Sequence, residues 1–183
     1  MTAGEIEIRR LSREELSRVG EIDRTERIDV LYVQRGTRLE ERAGAWSARA
    51  WDPNGQGEHS VAAQQATLEH YVDAGATALG AFAAERLVGI GLVLPHLRPG
   101  VAQLPFLYVS DGFRAMGIGR RLSDELDRVA REAGDTEIVV SATPSKNTVR
   151  FYLGRGYELM HEPLPELFEL EPDDVHMRKS LSG

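Results

Sequence analysis

The residues best suited to chemistry gather between Arg114 and Arg121, in the run RAMGIGRR. An apolar stretch, Leu104 to Val109, precedes the run and a helical pattern follows it. Two glycines, Gly117 and Gly119, therefore stand with three arginines where a strand hands over to a helix. The first turn of a helix has backbone N–H groups without partners, and the aligned peptide dipoles place partial positive charge there. The glycines let a diphosphate approach the backbone, and Arg114, Arg120 and Arg121 add full charges. A strand-to-helix turn that uses glycine only for its own geometry is the alternative. A P-loop would carry a Lys-Ser/Thr pair where Arg120-Arg121 stands, and a dinucleotide fingerprint would carry a small residue in place of Leu122. Both match poorly.

The elements that position this run are legible on either side. Glu5 to Arg9 alternates as a first strand, and Ser12 with Glu15 forms a capping-box pattern before a helix over Arg13 to about Asp23. Between Arg24 and Trp51, Ile28 to Val33 reads as a short helix or a strand, and Thr37 to Arg49 as a hairpin turning at Ala43-Gly44. A loop, DPNGQG, leads to a helix over Ser60 to Asp73 that stops at Gly75. Thr77 to Ala84 and Leu87 to Leu94 form an antiparallel hairpin about Glu85-Arg86. Pro95 to Gly100 is the next turn, and Val101 to Val109 a strand in which Pro105 predicts a bulge or an unpaired edge. The helix after the glycines keeps Ile118, Leu122, Leu126, Val129 and Ala130 on one face. Glu137 to Ala142 is a β-branched strand; Thr143 or Ser145 caps a short helix, and Tyr157 to Met160 and Val175 to Leu181 supply strands. An antiparallel meander before the glycines is a poor start for a dinucleotide fold of alternating parallel strands and helices.

The chain has 183 residues, 42% of them hydrophobic, which suits one domain over residues 1–183 with one core. A net charge of -7 argues against general binding to nucleic acid or to an anionic membrane, and makes the arginines near Gly117 a local exception. The absence of cysteine excludes disulfides, thiolate metal sites and cysteine nucleophiles, and no metal is expected. No window reaches the ~18 apolar residues of a membrane span and no signal peptide is apparent, so a cytoplasmic location is expected.

Two motifs carry a resemblance. Arg114-Ala-Met-Gly117-Ile-Gly119 has the pattern R-x-x-G-x-G, which resembles motif A of the GCN5-related N-acetyltransferases (GNAT). Independently, FYLGRGYEL, Phe151 to Leu159, is similar to that superfamily's later F-Y-x-x-x-G-F/Y segment. The resemblance spans about Thr77 to Met160. It implies an α+β fold: a mixed, mostly antiparallel sheet flanked by helices, with a splayed central strand pair. It further implies that Arg114, Ala115, Met116, Gly117, Ile118, Gly119 and Arg120 cradle the diphosphate of acetyl-CoA, the co-substrate. The backbone of Leu107, Tyr108 and Val109 would pair with the pantetheine arm. Tyr152 would be the general acid that protonates the departing thiolate, provided its hydroxyl lies within reach of the sulfur. A core tyrosine on a helix face is the alternative.

The sequence departs from the family at two places. Ser145 holds a position where the family usually has an asparagine that contacts CoA, with Asn147 two residues off register. Gln103 holds a position where an acid often serves as base. An amide cannot accept the proton usefully, so another group or bulk water must; the candidates are His96, His161, His176, Glu166 and Glu169, with Asp23, Glu26 and Asp29 in the N-terminal region. The acidic run after Glu162 reads as a solvated loop, or as a cleft mouth that attracts a cationic amine. Trp46, Trp51 and Tyr32 line a pocket or belong to the core. The expected reaction is acetyl transfer to a primary amine of a small molecule or peptide by direct attack. A non-catalytic acyl-CoA sensor of the same fold, which the loss of an acid at Gln103 favours, is the alternative, as is a nucleotide-binding enzyme. Homodimers are common in the family resembled, which leaves a homodimer open.

Overall fold

In the computed structural model, which describes residues 5–183, the central sheet has seven strands in the order β1-β4-β5-β6-β7-β9-β8. These are β1 (Ile6–Arg10), β4 (Thr77–Ala83), β5 (Arg86–Arg98), β6 (Val101–Val109), β7 (Glu137–Ala142), β8 (Glu158–Leu159) and β9 (Val175–Ser180). Every pairing is antiparallel except β6 with β7. That parallel pairing is short: it joins Val101, Ala102 and Gln103 to Glu137, Ile138 and Val139 and then ends. Beyond it, Phe106 to Val109 stay paired to β5 while Val140 to Ala142 stay paired to β9. The two central strands therefore part, and one backbone edge of β6 is left without a strand beside it. Pro105 sits at the parting. Leu92 pairs with Phe106 and Leu94 with Gln103, so Leu104 and Pro105 together oppose Val93. This is the predicted bulge, placed where proline has no N–H to donate.

Helices cover both faces. On one, α2 (Ile118–Glu132) and α3 (Lys146–Gly154) bury Leu122, Leu126, Val149 and Tyr152 against Val88, Leu104 and Val140. Gly89 and Gly91 on β5 make room for α2, since a Cβ at Gly91 would stand 2.8 Å from Leu126 Cδ1. On the other face, α1 (Val61–Asp73) and a 3-10 helix (Glu14–Glu21) bury Leu16, Val19 and Leu68 with Leu87, Ile90 and Phe106. Ser60 caps α1, its hydroxyl accepting from the N–H of Ala63 at 3.1 Å. No helix among the described residues is long and apolar enough to cross a membrane.

The differences from expectation are local. The first helix is 3-10 rather than α: Glu15 does accept from the N–H of Ser12 at 2.9 Å, but the Ser12 hydroxyl caps no N–H in return. Ile28 to Val33 lies in a strand, β2 (Glu26–Arg35), which pairs with β3 (Arg38–Ala48) as a separate hairpin. The hairpin turns at Gly36-Thr37, where Gly36 supplies a φ of 59°, and not at Ala43-Gly44. Gly44 instead occupies a bulge opposite the Ile28/Val30 register shift, where a Cβ would meet the Trp46 ring at 2.4 Å. The β4–β5 turn is Ala84-Glu85, one residue earlier than expected, and β5 continues through Pro95 to Arg98 before turning at Pro99-Gly100. A short helix, α4 (Pro165–Leu170), lies within the acidic stretch and buries Leu167 against Val139 and Met160.

The β2–β3 hairpin docks on the open end of the sheet. The Tyr32 N–H donates to Pro144 O at 2.8 Å. The Gln34 side chain donates to Met160 O at 2.9 Å and accepts from the His176 N–H at 2.8 Å.

Candidate active site

The run from Ser110 to Arg120 is held from below. The buried Ser110 donates its N–H to Val88 O at 2.8 Å, and its hydroxyl accepts from the Asp23 N–H at 2.9 Å. Ala115 and Gly117 then take left-handed conformations, with φ of 61° and 78°. Alternation of handedness turns successive N–H groups toward one side and makes an anion nest. From Arg114 through Arg120, no backbone N–H donates to any acceptor among the described residues; the first helical bond runs from Arg121 N to Gly117 O at 3.0 Å. Gly119 packs so that a Cβ would lie 3.4 Å from the Phe151 ring, which brings α2 and α3 together beside the nest.

The three arginines divide. Arg114 is turned inward: its guanidinium donates to Thr25 O at 2.7 Å and to Val109 O at 3.1 Å, fastening the loop to the chain before β2. Arg121 donates to Ile6 O at 3.1 Å. Only Arg120 remains exposed without an ion pair or hydrogen bond among the described residues, so the full charge available to an anion is its own. The sequence pattern counted all three.

The nest opens into a cavity of about 1200 Å³ that follows the parted edge of β6. Leu107, Tyr108, Val109, Arg114, Ala115, Gly117, Ile118, Gly119, Arg120 and Tyr152 all line it. Met116, 45% exposed, does not. Nor does Ser145, which is buried as the cap of α3, its Oγ accepting from the Thr148 N–H at 3.3 Å and donating to Thr148 Oγ1 at 2.9 Å. A hydroxyl spent on capping has little left for a ligand. Asn147, two residues on, lines the cavity, and its Nδ2 donates to Glu26 Oε1 at 3.1 Å across to β2.

Tyr152 lies at the inner end of α3. Its ring meets those of Phe151 and Tyr157 edge-on, with centroids 5.2 Å apart in each case. Burial raises its phenol above the ordinary value, with smaller contributions from Tyr108 and the negative charge of Asp174. Its hydroxyl makes no hydrogen bond among the described residues, so it stays protonated with its donor uncommitted. Tyr108, on β6, is also pushed up by burial, opposed by the charge of Arg24 beside it. Trp51 and Phe106 pack around Tyr108, at centroid distances of 5.1 and 4.7 Å. Trp51 is thus core behind the cavity, whereas Trp46 is exposed on the hairpin.

Gln103, which stands where an acid would serve as base, is buried within the sheet at the last β6–β7 pair and does not line the cavity. The candidate bases scatter. His96 is anchored by Asp135, through its N–H and its Nδ1, each at 2.9 Å, and lies outside the cavity. Glu166 is paired with Arg98 at 2.6 Å, and Asp29 with Arg27 at 3.1 Å. Asp23 accepts from the Thr25 N–H at 3.0 Å, which lowers its pKa. Glu26 alone of the N-terminal acids lines the cavity. His161 and His176 line a second cavity of about 610 Å³, between the hairpin, α4 and the start of β9, with Tyr32, Phe168, Asp173 and Asp174. Burial lowers the pKa of His176, and its Nε2 lies 2.9 Å from Glu171 O. Asp174 was one of six carboxylates in the acidic run, and nothing in its spacing singled it out.

Residues 50–181 match the family described as acetyltransferase (GNAT) domain. No curated protein matches the sequence significantly. Among solved structures, a nourseothricin acetyltransferase shares 15% identity at a TM-score of 0.72, covering 98% of this chain and 99% of its own. The PaiA N-acetyltransferase of Thermoplasma acidophilum, solved with coenzyme A, shares 19% identity at 0.63, covering 96% and 99%. An aminoglycoside 6'-N-acetyltransferase, also solved with coenzyme A, shares 19% identity at 0.58, covering 69% and 84%. At these identities the likeness is one of fold, and it agrees with the splayed, mostly antiparallel sheet. With the family match extending over most of the chain, from Ala50 to Leu181, the protein belongs to the GNAT acetyltransferase family.

Proposed function

We propose that the protein transfers the acetyl group of acetyl-CoA to a primary amine of a small cationic molecule. One observation carries the reading: a single cavity joins the unpaired N–H groups of Arg114 to Arg120, the unpaired edge of β6 and the Tyr152 hydroxyl. The N–H nest and Arg120 suit a diphosphate, and the free edge of β6 suits an amide-bearing arm that adds like a strand. That fold neighbours were solved with coenzyme A supports the same ligand. Acetyltransferases for aminoglycosides and nourseothricin among those neighbours support a small-molecule amine as acceptor.

The chemistry follows from the residues. A neutral amine held beside the thioester attacks its carbonyl carbon, and N–H groups of the parted strand polarise the carbonyl oxygen. Tyr152 gives its proton to the leaving sulfur. No covalent intermediate on the protein is needed. Competition between CoA, ATP and NAD for the purified protein tests the cofactor half of the reading, which requires preference for CoA. Identification of an N-acetylated amine by mass spectrometry tests the other half. The sensor reading draws on the burial of Gln103 away from the cavity, and requires tight CoA binding with no acetylated product.

A further inference from the structure

We infer that Asp174 takes the proton from the acceptor amine, in place of an acid on β6. The inference rests on the acetyl-transfer reading and names the group that reading lacks.

Asp174 directly precedes β9, whose first residue, Val175, pairs with Ala142 at the end of β7. Asp174 therefore stands one step beyond the last β7–β9 pair, level with Thr143, which lines the cofactor cavity. This is the side to which β7 departs when it leaves β6. Asp174 itself lines the second cavity, and its negative charge acts on the phenols of both Tyr108 and Tyr152, which line the first.

Glu26 is engaged by Asn147, Asp23 by Thr25, Asp111 by Arg114 at 3.7 Å and Glu41 by Lys146 at 2.9 Å, while Glu171 and Asp173 lie exposed and Asp174 is half-buried. The Asp174 N–H donates to Glu171 O at 3.2 Å, but its carboxyl has no hydrogen bond or ion pair among the described residues. Glu171 and Asp173 on its own loop repel its charge, and that charge in turn is felt by Tyr108 of β6, beside Arg24, and by Tyr152 of α3. Arg35 of β2, Arg42 of β3, His161 and His176 share its cavity. Burial, with Glu171 and Asp173, raises its carboxyl to about 7. Such a group is partly ionised at neutral pH and basic enough to accept a proton.

The protons balance as follows. An ammonium acceptor gives one proton to the Asp174 carboxylate and becomes a neutral amine. Its nitrogen forms the C–N bond to the acetyl carbon as the C–S bond breaks, and Tyr152 protonates the sulfur. The phenolate takes the surplus proton of the new amide nitrogen, and Asp174 releases its own proton to solvent. The net products are amide, thiol and one proton.

Asp174→Asn is close in size and tests the role. With a turned-over amine, kcat should fall about 10²-fold or more, with CoA affinity within about twofold of wild type. The wild-type rate should rise with pH through about 7, and that limb should vanish in Asp174→Asn and return, shifted, in Asp174→Glu. Carboxyl-labelled aspartate followed by 13C NMR should show one group titrating near pH 7 that is missing from the variant, a readout that needs no turnover. A carboxyl that titrates below about pH 5, or a variant that keeps the acid limb while wild type turns over, overturns the inference and leaves acetyl transfer standing. No turnover with any amine despite CoA binding overturns both.

Discussion

Arg114 Nη1 donates to Thr25 O at 2.7 Å, joining residues 89 apart in sequence. The guanidinium also reaches Val109 O, so one side chain ties the end of β6, the N–H nest and the start of the β2–β3 hairpin together. In this arrangement the guanidinium is engaged with backbone carbonyls. Arg114→Ala should therefore lower stability by about 1–3 kcal/mol and weaken CoA binding by loosening the loop. Arg120→Ala should weaken CoA binding with stability nearly unchanged. Urea unfolding with calorimetric CoA titration separates the two; equal stability losses would contradict this division.

Gly117 has a φ of 78° with open space around its Cβ position, so the demand for glycine is one of backbone conformation. Gly117→Ala should cost about 1 kcal/mol if the loop holds its shape, and more in CoA affinity if the loop relaxes. Equal CoA affinity at full stability would show that the left-handed turn is dispensable.

Two buried tyrosines sit with ring centroids 5.2 Å apart but predict opposite outcomes. Tyr152→Phe removes the free donor facing the cavity and should lower kcat about 10²-fold with little change in CoA affinity. The Tyr157 hydroxyl is buried without a partner, so Tyr157→Phe removes an unsatisfied group and should leave stability unchanged or raise it by about 1 kcal/mol. Steady-state kinetics and thermal unfolding of both variants check this. Unchanged turnover in Tyr152→Phe would remove it from the mechanism.

Asp174 also predicts a pH dependence of folding that is independent of activity. Its carboxyl is raised in the folded chain to about 7 from an ordinary 3.8, so the folded state favours the protonated form. That contribution is complete below the ordinary value and is lost as pH rises through about 7. Asp174→Asn stays neutral, so its Tm should gain on that of wild type between about pH 4 and pH 7, by roughly 4 °C or more, and level off above. A Tm difference that does not change with pH would contradict the burial of this charge.

How much of this was legible depended on how local its cause is. The glycine turn from β6 into α2 and the stripe of Leu122 and Leu126 on α2 are set by neighbours in sequence, and both are present in the fold. The bulge at Pro105 did too, because proline forbids a ladder bond whatever surrounds it. The hairpin turn was misplaced because Gly44 serves the Trp46 ring and not a turn, a contact that no local pattern records. The inward turn of Arg114 depends on the carbonyl of Thr25, 89 residues away. Ser145 illustrates a competition: a cap and a ligand contact both call for a hydroxyl, and capping α3 takes it. Asp174 is hidden among like charges, and only the fold, through the β7–β9 register and its burial, distinguishes it from Asp173.

The central claim is that the N–H nest, the parted strand and Tyr152 form one acetyl-transfer site. The most direct test is incubation of the purified protein with acetyl-CoA and a panel of small cationic amines, following thiol release and product mass together. Thiol release should be matched one for one by an N-acetylated amine and should be lost in Tyr152→Phe. Tight CoA binding with no acetylated product from any amine would contradict it.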